Sequence, residues 1–171
     1  MEIRRFEGEA DARAVARVNA LAWREAYDDL LPDELLANRD PDPPDERVRE
    51  FADRLRDDRS GVFVATADGA VRGYCYVRWG EETKSFVGET EAGLKELYVE
   101  PDYWGNGLGT ALLERGLERL PSHVDRVRLE TLEGNDVAHR FYDARGFERT
   151  GSAAFEIGGE LYPTAIYTLE L

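Results

Sequence analysis

Leu97-Tyr98-Val99-Glu100-Pro101-Asp102-Tyr103-Trp104-Gly105-Asn106-Gly107-Leu108-Gly109, running into Thr110-Ala111-Leu112-Leu113-Glu114-Arg115, is the stretch on which the reading of this chain turns. The apolar residues up to Val99 predict a strand, Pro101 opens a turn, and the run after Gly109 predicts a helix. Between them, Gly105, Gly107 and Gly109 leave backbone N–H groups uncovered by side chains where the helix begins. A helix start carries unpaired donors and a partial positive charge, so it can seat a phosphate. Two common phosphate loops do not fit. A Walker loop ends in Gly-Lys-Ser/Thr, and Leu108-Gly109-Thr110 supplies no lysine. The glycine spacing also departs from the GxGxxG of a dinucleotide fingerprint. Taken alone, the segment is equally compatible with a tight turn whose glycines serve packing.

A second segment, Val127-Arg128-Leu129-Glu130-Thr131-Leu132-Glu133-Gly134-Asn135-Asp136-Val137-Ala138-His139-Arg140-Phe141-Tyr142-Asp143-Ala144-Arg145-Gly146-Phe147, predicts a strand, an Asn cap, a short helix, a glycine stop and a further strand. Together the two segments resemble the GNAT family, the Gcn5-related N-acetyltransferases. Val99, Pro101, Gly107 and Gly109 resemble the family's acetyl-CoA pyrophosphate loop. Asn135, Ala138, Phe141-Tyr142 and Gly146-Phe147 resemble its second signature. The match is direct over roughly residues 92–150 and weaker elsewhere. It departs at Trp104, where the family's loop usually begins with Gln or Arg. Since the loop grips mainly through backbone N–H groups, that change should weaken binding rather than abolish it.

The resemblance implies an acyl-CoA N-acyltransferase fold of class α+β, with a mixed central sheet of about seven strands flanked by helices. It also implies acetyl-CoA as co-substrate, without a metal. Cofactor contacts are expected at Leu97, Tyr98 and Val99, at Trp104, Gly105, Asn106, Gly107, Leu108, Gly109 and Thr110, and at Asn135. In the family the fourth and fifth strands splay, and an N–H near Val99 would meet the thioester oxygen, which is oxyanion-hole chemistry. Tyr142 is the expected general acid. It lies seven residues after Asn135, two helical turns on and on the same face, and a phenol with a pKa of about 10 stays protonated at neutral pH. A core aromatic and a plain helix cap are the structural alternatives for these two residues. Glu130 matches the base position of the ribosomal-protein N-terminal acetyltransferases, and Glu96 stands where other branches present an acid. A solvated strand carboxylate is the alternative for each. His139 and His123 have no partners spaced for a metal site or a triad. Trp23 and Tyr27 resemble a Trp-x-x-x-Tyr pattern of small GNAT enzymes and are expected to wall the acceptor pocket with Trp79 and Tyr162, unless they serve only the core. The acceptor itself is expected to be a small-molecule amine or a peptide N-terminus. A non-catalytic acetyl-CoA-binding sensor is the rival from another class.

Composition narrows the classes further. At 171 residues, 42% hydrophobic and 34% charged, the chain has the size and balance of one folded domain, 1–171. No apolar run approaches the roughly 20 residues that cross a bilayer. The start, Met1-Glu2-Ile3-Arg4-Arg5-Phe6, lacks signal-peptide order, so the cytoplasm is the expected compartment. Cys75 is the single cysteine, which excludes a disulfide framework and a Cys-based zinc site. Of 22 basic residues only Lys84 and Lys95 are lysine, against 36 acids and a net charge of −14. This balance resembles proteins of salt-accumulating halophiles, since at molar salt the Debye length is only about 3 Å and self-repulsion is screened. An acidic surface attracting cationic substrates such as polyamines is the competing explanation. Nucleic acid and membrane are not expected as partners, and a homodimer remains open.

Along the chain, strands are predicted at Glu2–Phe6, Val62–Ala67, Val71–Trp79, Ala92–Val99, Val124–Thr131, Phe147–Ile157 and Leu161–Leu169. Helices are predicted from Asp11 as cap to about Tyr27, at Asp33–Ala37, at Glu46–Asp57 with a stop at Arg59-Ser60-Gly61, from the glycine loop to Leu120, and at Asp136–Arg145. Asp68-Gly69 marks a hairpin turn, and Gly80–Thr90 is polar and irregular.

Overall fold

A computed structural model describes residues 1–58, 61–80 and 83–171. Part of the expected helix stop (Arg59 and Ser60) and of the polar segment (Glu81 and Glu82) lies outside the described residues. The elements run β1 (Glu2–Arg5), α1 (Glu9–Tyr27), α2 (Asp33–Ala37), α3 (Asp45–Asp57), β2 (Val62–Ala67), β3 (Ala70–Trp79), β4 (Glu91–Val99), α4 (Leu108–Glu118), β5 (Arg126–Leu132), α5 (Asp136–Asp143), β6 (Glu148–Ile157) and β7 (Glu160–Glu170). A 3₁₀ turn, Pro101–Tyr103, follows β4. Among the described residues, seven strands join one sheet in the order β1-β2-β3-β4-β5-β7-β6.

Turn chemistry sets the hairpins. Asp68 and Gly69 both take positive φ (53° and 79°), as do Gly158 and Gly159 (60° and 85°) between β6 and β7. Two successive left-handed residues match the right-handed twist of the strands they connect. Helix α1 starts two residues before Asp11, which had been expected to cap it. Gly8 is the cap, and Asp11 lies in the first turn. Its carboxylate instead accepts the Glu7 N–H (2.9 Å) and a two-pronged contact from Arg4 (2.7 and 2.8 Å), tying β1 to α1.

The two helical layers bury separate cores. Against one face of the sheet, α4 packs with Cys75, Val77, Ala92, Leu94, Val127 and Leu129. Burial pushes the Cys75 thiol up to about 12, so it stays protonated and serves packing. Against the other face, Val15 and Val18 of α1 and Val48, Ala52 and Leu55 of α3 cover Val62, Val64 and Tyr74. Among the described residues no helix is long and apolar enough to cross a membrane.

The decisive feature lies in β4. Tyr76 pairs with Glu96 and Val77 with Leu94, so Lys95 is an extra residue with no cross-strand partner. A bulge of this kind bends the strand and re-aims its side chains. Before it, Ala92 and Leu94 face α4; after it Leu97 and Val99 do, while Tyr98 faces α1. β4 runs parallel to β5, but the two pair only from Glu91–Gly93 to Arg126–Arg128. Beyond the bulge they part, and a cleft opens.

Glu100, 5% exposed, pins the end of β4. Arg17 of α1 grips both its oxygens (2.9 and 3.1 Å), and Arg72 of β3 adds a third bond (3.1 Å). These bonds outweigh the burial that opposes ionisation and hold the Glu100 carboxyl below its usual range. At Asp11 burial is the largest single influence and raises the pKa, but the Arg4 fork and the Glu7 N–H together lower it. A carboxyl with a depressed folded-state pKa stabilises fully above its unfolded value, about pH 4, and that contribution fades as pH falls through the folded value. Denaturant midpoints should therefore drop steeply below about pH 4. The double variant Asp11→Asn, Glu100→Gln should be less stable at pH 7 and show a shallower acid slope. An unchanged slope would mean that other carboxylates govern the acid transition.

Candidate active site

The cleft between the ends of β4 and β5 is a cavity of about 480 Å³, closed on one side by Ala22 and Ala26 of α1 and on the other by Ala138, Phe141 and Tyr142 of α5. Antiparallel strands direct their backbone groups alternately to either side. The Glu100 N–H bonds the Arg72 carbonyl of β3 (2.8 Å), so those of Leu97 and Val99 point the other way, toward the edge that β5 has left. The Val99 carbonyl is taken by the Trp104 indole N–H (2.7 Å). Its N–H stays directed into the cleft.

At the cleft's mouth lies the start of α4. Its cap, Gly107, has φ 85° and offers no side-chain hydrogen bond, and no acid sits in the first turn. The first intrahelical bond runs from the Ala111 N–H to the Gly107 carbonyl (3.0 Å). The amides of Leu108, Gly109 and Thr110 therefore have no partner one turn back. Gly105 (φ 79°) and Gly107 have no heavy atom within 4 Å of where a Cβ would stand. The loop is open above its donors.

The cavity adds a residue to which the sequence reading had attached no role. Arg145 follows α5 and lines the cleft. Its Nε donates to the Thr110 hydroxyl (3.1 Å), its Nη1 to the Phe141 carbonyl (2.8 Å), and its guanidinium stacks 3.6 Å from the Phe141 ring centroid. A rigidly held cation thus stands beside the amides of the α4 start. A guanidinium there suits a phosphate.

Of the residues expected to contact the cofactor, Leu97, Tyr98, Val99, Trp104, Gly105, Gly107, Leu108, Gly109, Thr110 and Asn135 all line this cavity. Asn106 belongs to the same loop but is not part of the lining. Asn135 caps α5, its Oδ1 accepting the Ala138 N–H (3.1 Å), and its Nδ2 reaches Tyr27 and Thr131 only at 3.4 and 3.5 Å. Tyr142 stands one wall away, packed edge-on against Phe141 and Phe147. Its hydroxyl makes no hydrogen bond among the described residues, where no buried side-chain polar atom lacks a partner, so it opens on the cleft. Burial, above all, raises the phenol well beyond its ordinary value, which keeps the proton on at any physiological pH.

The other candidates separate. Glu130 lies outside the cleft, 7% exposed at its side chain, with Lys84 2.6 Å from one oxygen and the Thr164 hydroxyl 2.6 Å from the other. Both oxygens are committed. Glu96 forms no such pair among the described residues and faces a second cavity of about 280 Å³ on the α1–α3 side. Trp23 and Tyr27 are buried at 7% and 5% beside Leu31, Leu36 and Leu132 and line neither cavity. Ala22 and Ala26, their neighbours on α1, reach the cleft instead. Tyr162 joins Trp23's cluster, and Trp79 packs on the α4-side core. His139 is held by Tyr167 (2.5 Å) and the Glu133 carbonyl (2.8 Å), and His123 is exposed. Among the described residues no group of three or more His, Cys, Asp or Glu is placed to hold a metal.

Residues 22–147 match the model of the acetyltransferase (GNAT) family. The chain belongs to the GNAT family. Its fold is the GNAT fold, in the described residues a mixed seven-stranded sheet flanked by five helices. An N-acetyltransferase of Mycobacterium bovis is 31% identical over 109 residues, 63% of this chain and 65% of that protein. A mycothiol acetyltransferase of Acidimicrobium ferrooxidans is 31% identical over 84% of this GNAT chain but only 42% of its own length. This chain thus spans less than two thirds of both relatives. Among solved structures, the PaiA N-acetyltransferase of Thermoplasma acidophilum, in complex with coenzyme A, superposes with TM-score 0.73 at 19% identity over 100% of both chains.

Proposed function

We propose that this GNAT protein is an acetyl-CoA-dependent N-acetyltransferase that works in the cytoplasm as a single catalytic domain over residues 1–171. The acetyl group would pass to a primary amine by direct attack in a ternary complex. One observation carries the reading: a strand splay with the Val99 N–H directed into the gap opens onto a helix start that has no side-chain cap, with a protonated phenol facing the same space. The residues fit acetyl-CoA, because the open loop amides and Arg145 suit a pyrophosphate and the apolar cleft suits an extended arm.

In the step itself, the amine nitrogen bonds to the thioester carbonyl carbon as the C–S bond breaks. The Val99 N–H stabilises the oxygen's developing charge. Tyr142 gives its proton to the departing thiolate. Glu96, which unlike Glu130 is held in no ion pair among the described residues, receives the amine's proton directly or through water. Calorimetry with acetyl-CoA, followed by thiol release across an amine panel, tests this. Absence of acetyl-CoA binding would remove the reading, and binding without turnover across a broad panel would favour a sensor.

The acidic composition fits a protein of a salt-accumulating cell. Carboxylate repulsion is relieved by screening, so the melting temperature should rise between dilute buffer and molar KCl. A flat profile would dismiss the halophile reading.

A further inference from the structure

The second cavity lies across β4 from the first. The bulge at Lys95 places two consecutive side chains, Lys95 and Glu96, against the same hollow, whereas regular alternation would send one to the opposite face. Glu96 and Tyr98 are same-face neighbours about 7 Å apart along the strand. Tyr98 lines the cleft, and its ring packs 5.9 Å from that of Tyr74, which lines the second cavity. The hollow therefore approaches the transfer point from the side opposite the cleft.

Its charge runs against the whole molecule. Acids outnumber bases 36 to 22 in the chain, yet this lining holds four cations, Arg39, Arg47, Arg54 and Lys95, against two acids, Asp40 and Glu96. None of the four is in an ion pair among the described residues. Nearby surface arginines are paired: Arg13 takes Asp42 and Asp45, and Arg56 takes Asp53. Three of the four lie over aromatic rings, Arg39 over Trp23 at 3.6 Å, Lys95 over Tyr76 at 4.8 Å and Arg54 over Phe51 at 5.6 Å. A second bond, to Asn19 (2.8 Å), fixes Arg39 further. Partial burial lowers the Lys95 pKa against the opposing pull of Glu96, and repulsion from Arg78 and Arg54 adds to the lowering. With four cations against two acids the hollow is locally positive in an acid-rich chain, and Arg47, Arg54 and Lys95 are exposed where an incoming anion can meet them.

We infer that the second cavity takes an acceptor carrying an anionic group, carboxylate or phosphate, alongside the amine to be acetylated. The anion meets Arg39, Arg47 and Arg54, and the amine lies at Glu96. The inference rests on the acetyltransferase reading and opposes the polyamine alternative, because this lining would repel a polycation.

The test measures kcat/KM for L-glutamate and O-phosphoserine, phosphoethanolamine, neutral-bodied ethanolamine, and spermidine, with acetyl-CoA affinity determined separately. Anionic amines should be preferred. In Arg47→Gln and Arg54→Gln the ratio of anionic amine to ethanolamine should fall by about tenfold, the worth of one charged hydrogen bond. Acetyl-CoA affinity should hold. The carboxylate and phosphate arms identify the source of the charge. Preference for spermidine or ethanolamine, or a ratio unmoved by both substitutions, would overturn the inference while leaving the transferase reading intact. Should no amine turn over, calorimetry of the anionic amines with the CoA-loaded protein decides: binding weakened by both variants supports the site, and no binding refutes it. Loss of acetyl-CoA binding in the wild type would instead defeat the parent reading.

Discussion

Tyr142→Phe is expected to lower kcat by about 10²–10⁴-fold, the usual worth of a positioned general acid, with acetyl-CoA affinity nearly unchanged. The ring sits edge-on among Phe141 and Phe147, 5.2 and 5.3 Å away between centroids, and the substitution preserves that packing. Only the hydroxyl disappears, and it has no hydrogen-bond partner among the described residues whose loss could unsettle the fold. Because the proton is needed only as the thiolate forms, the loss should fall on the transition state and spare the ground state. A fall in kcat of less than about threefold would make Tyr142 a packing residue. Neither histidine is an obvious substitute. His139 is occupied by Tyr167 and Glu133, so water would have to supply the proton.

Gly107→Glu should weaken acetyl-CoA binding by roughly a thousandfold. A carboxylate about 4 Å from a phosphate, at an effective dielectric near 20, contributes about 4 kcal/mol of repulsion. Two effects would be mixed in that number, since Gly107 holds φ 85° and any L side chain there is strained. Gly107→Ala separates them, as it carries the strain without the charge, and no atom lies within 4 Å of its Cβ. Calorimetry should rank wild type above Ala, and Ala far above Glu. Equal affinities for Ala and Glu would show that the loop's conformation matters and its phosphate contact does not. Unchanged affinity in both, with circular dichroism intact, would remove the pyrophosphate from this loop.

The glycine loop and the helix it opens were legible because their information is local. Glycines beside an apolar helical run predict exposed amides wherever the rest of the chain goes, and α4 does begin at Leu108 with Gly107 as a left-handed cap. The Asn135 cap of α5 and the Asp68-Gly69 turn were readable for the same reason. Arg145 could not be placed in this way. Its closeness to Thr110 exists only because α5 packs beside the start of α4, across 35 positions.

Glu96 and Glu130 were indistinguishable as letters on two strands. What separates them is the company each keeps. Lys84 and Thr164 arrive at Glu130 from segments 46 and 34 residues away and occupy both oxygens. Trp23 and Tyr27 line neither of the two cavities described because a helix offers several faces, and only the packing of α1 chose Ala22 and Ala26 for the cleft. The sequence by itself determined the elements, their order and the donor-rich loop, since propensity, caps and turn glycines act within a few residues. The tertiary structure alone decided the rest. An unpaired Lys95 in β4, visible only once Tyr76 meets Glu96 and Val77 meets Leu94, reverses which face each later side chain occupies. Strand pairing is a long-range contact, and one extra residue in it redirects every side chain beyond.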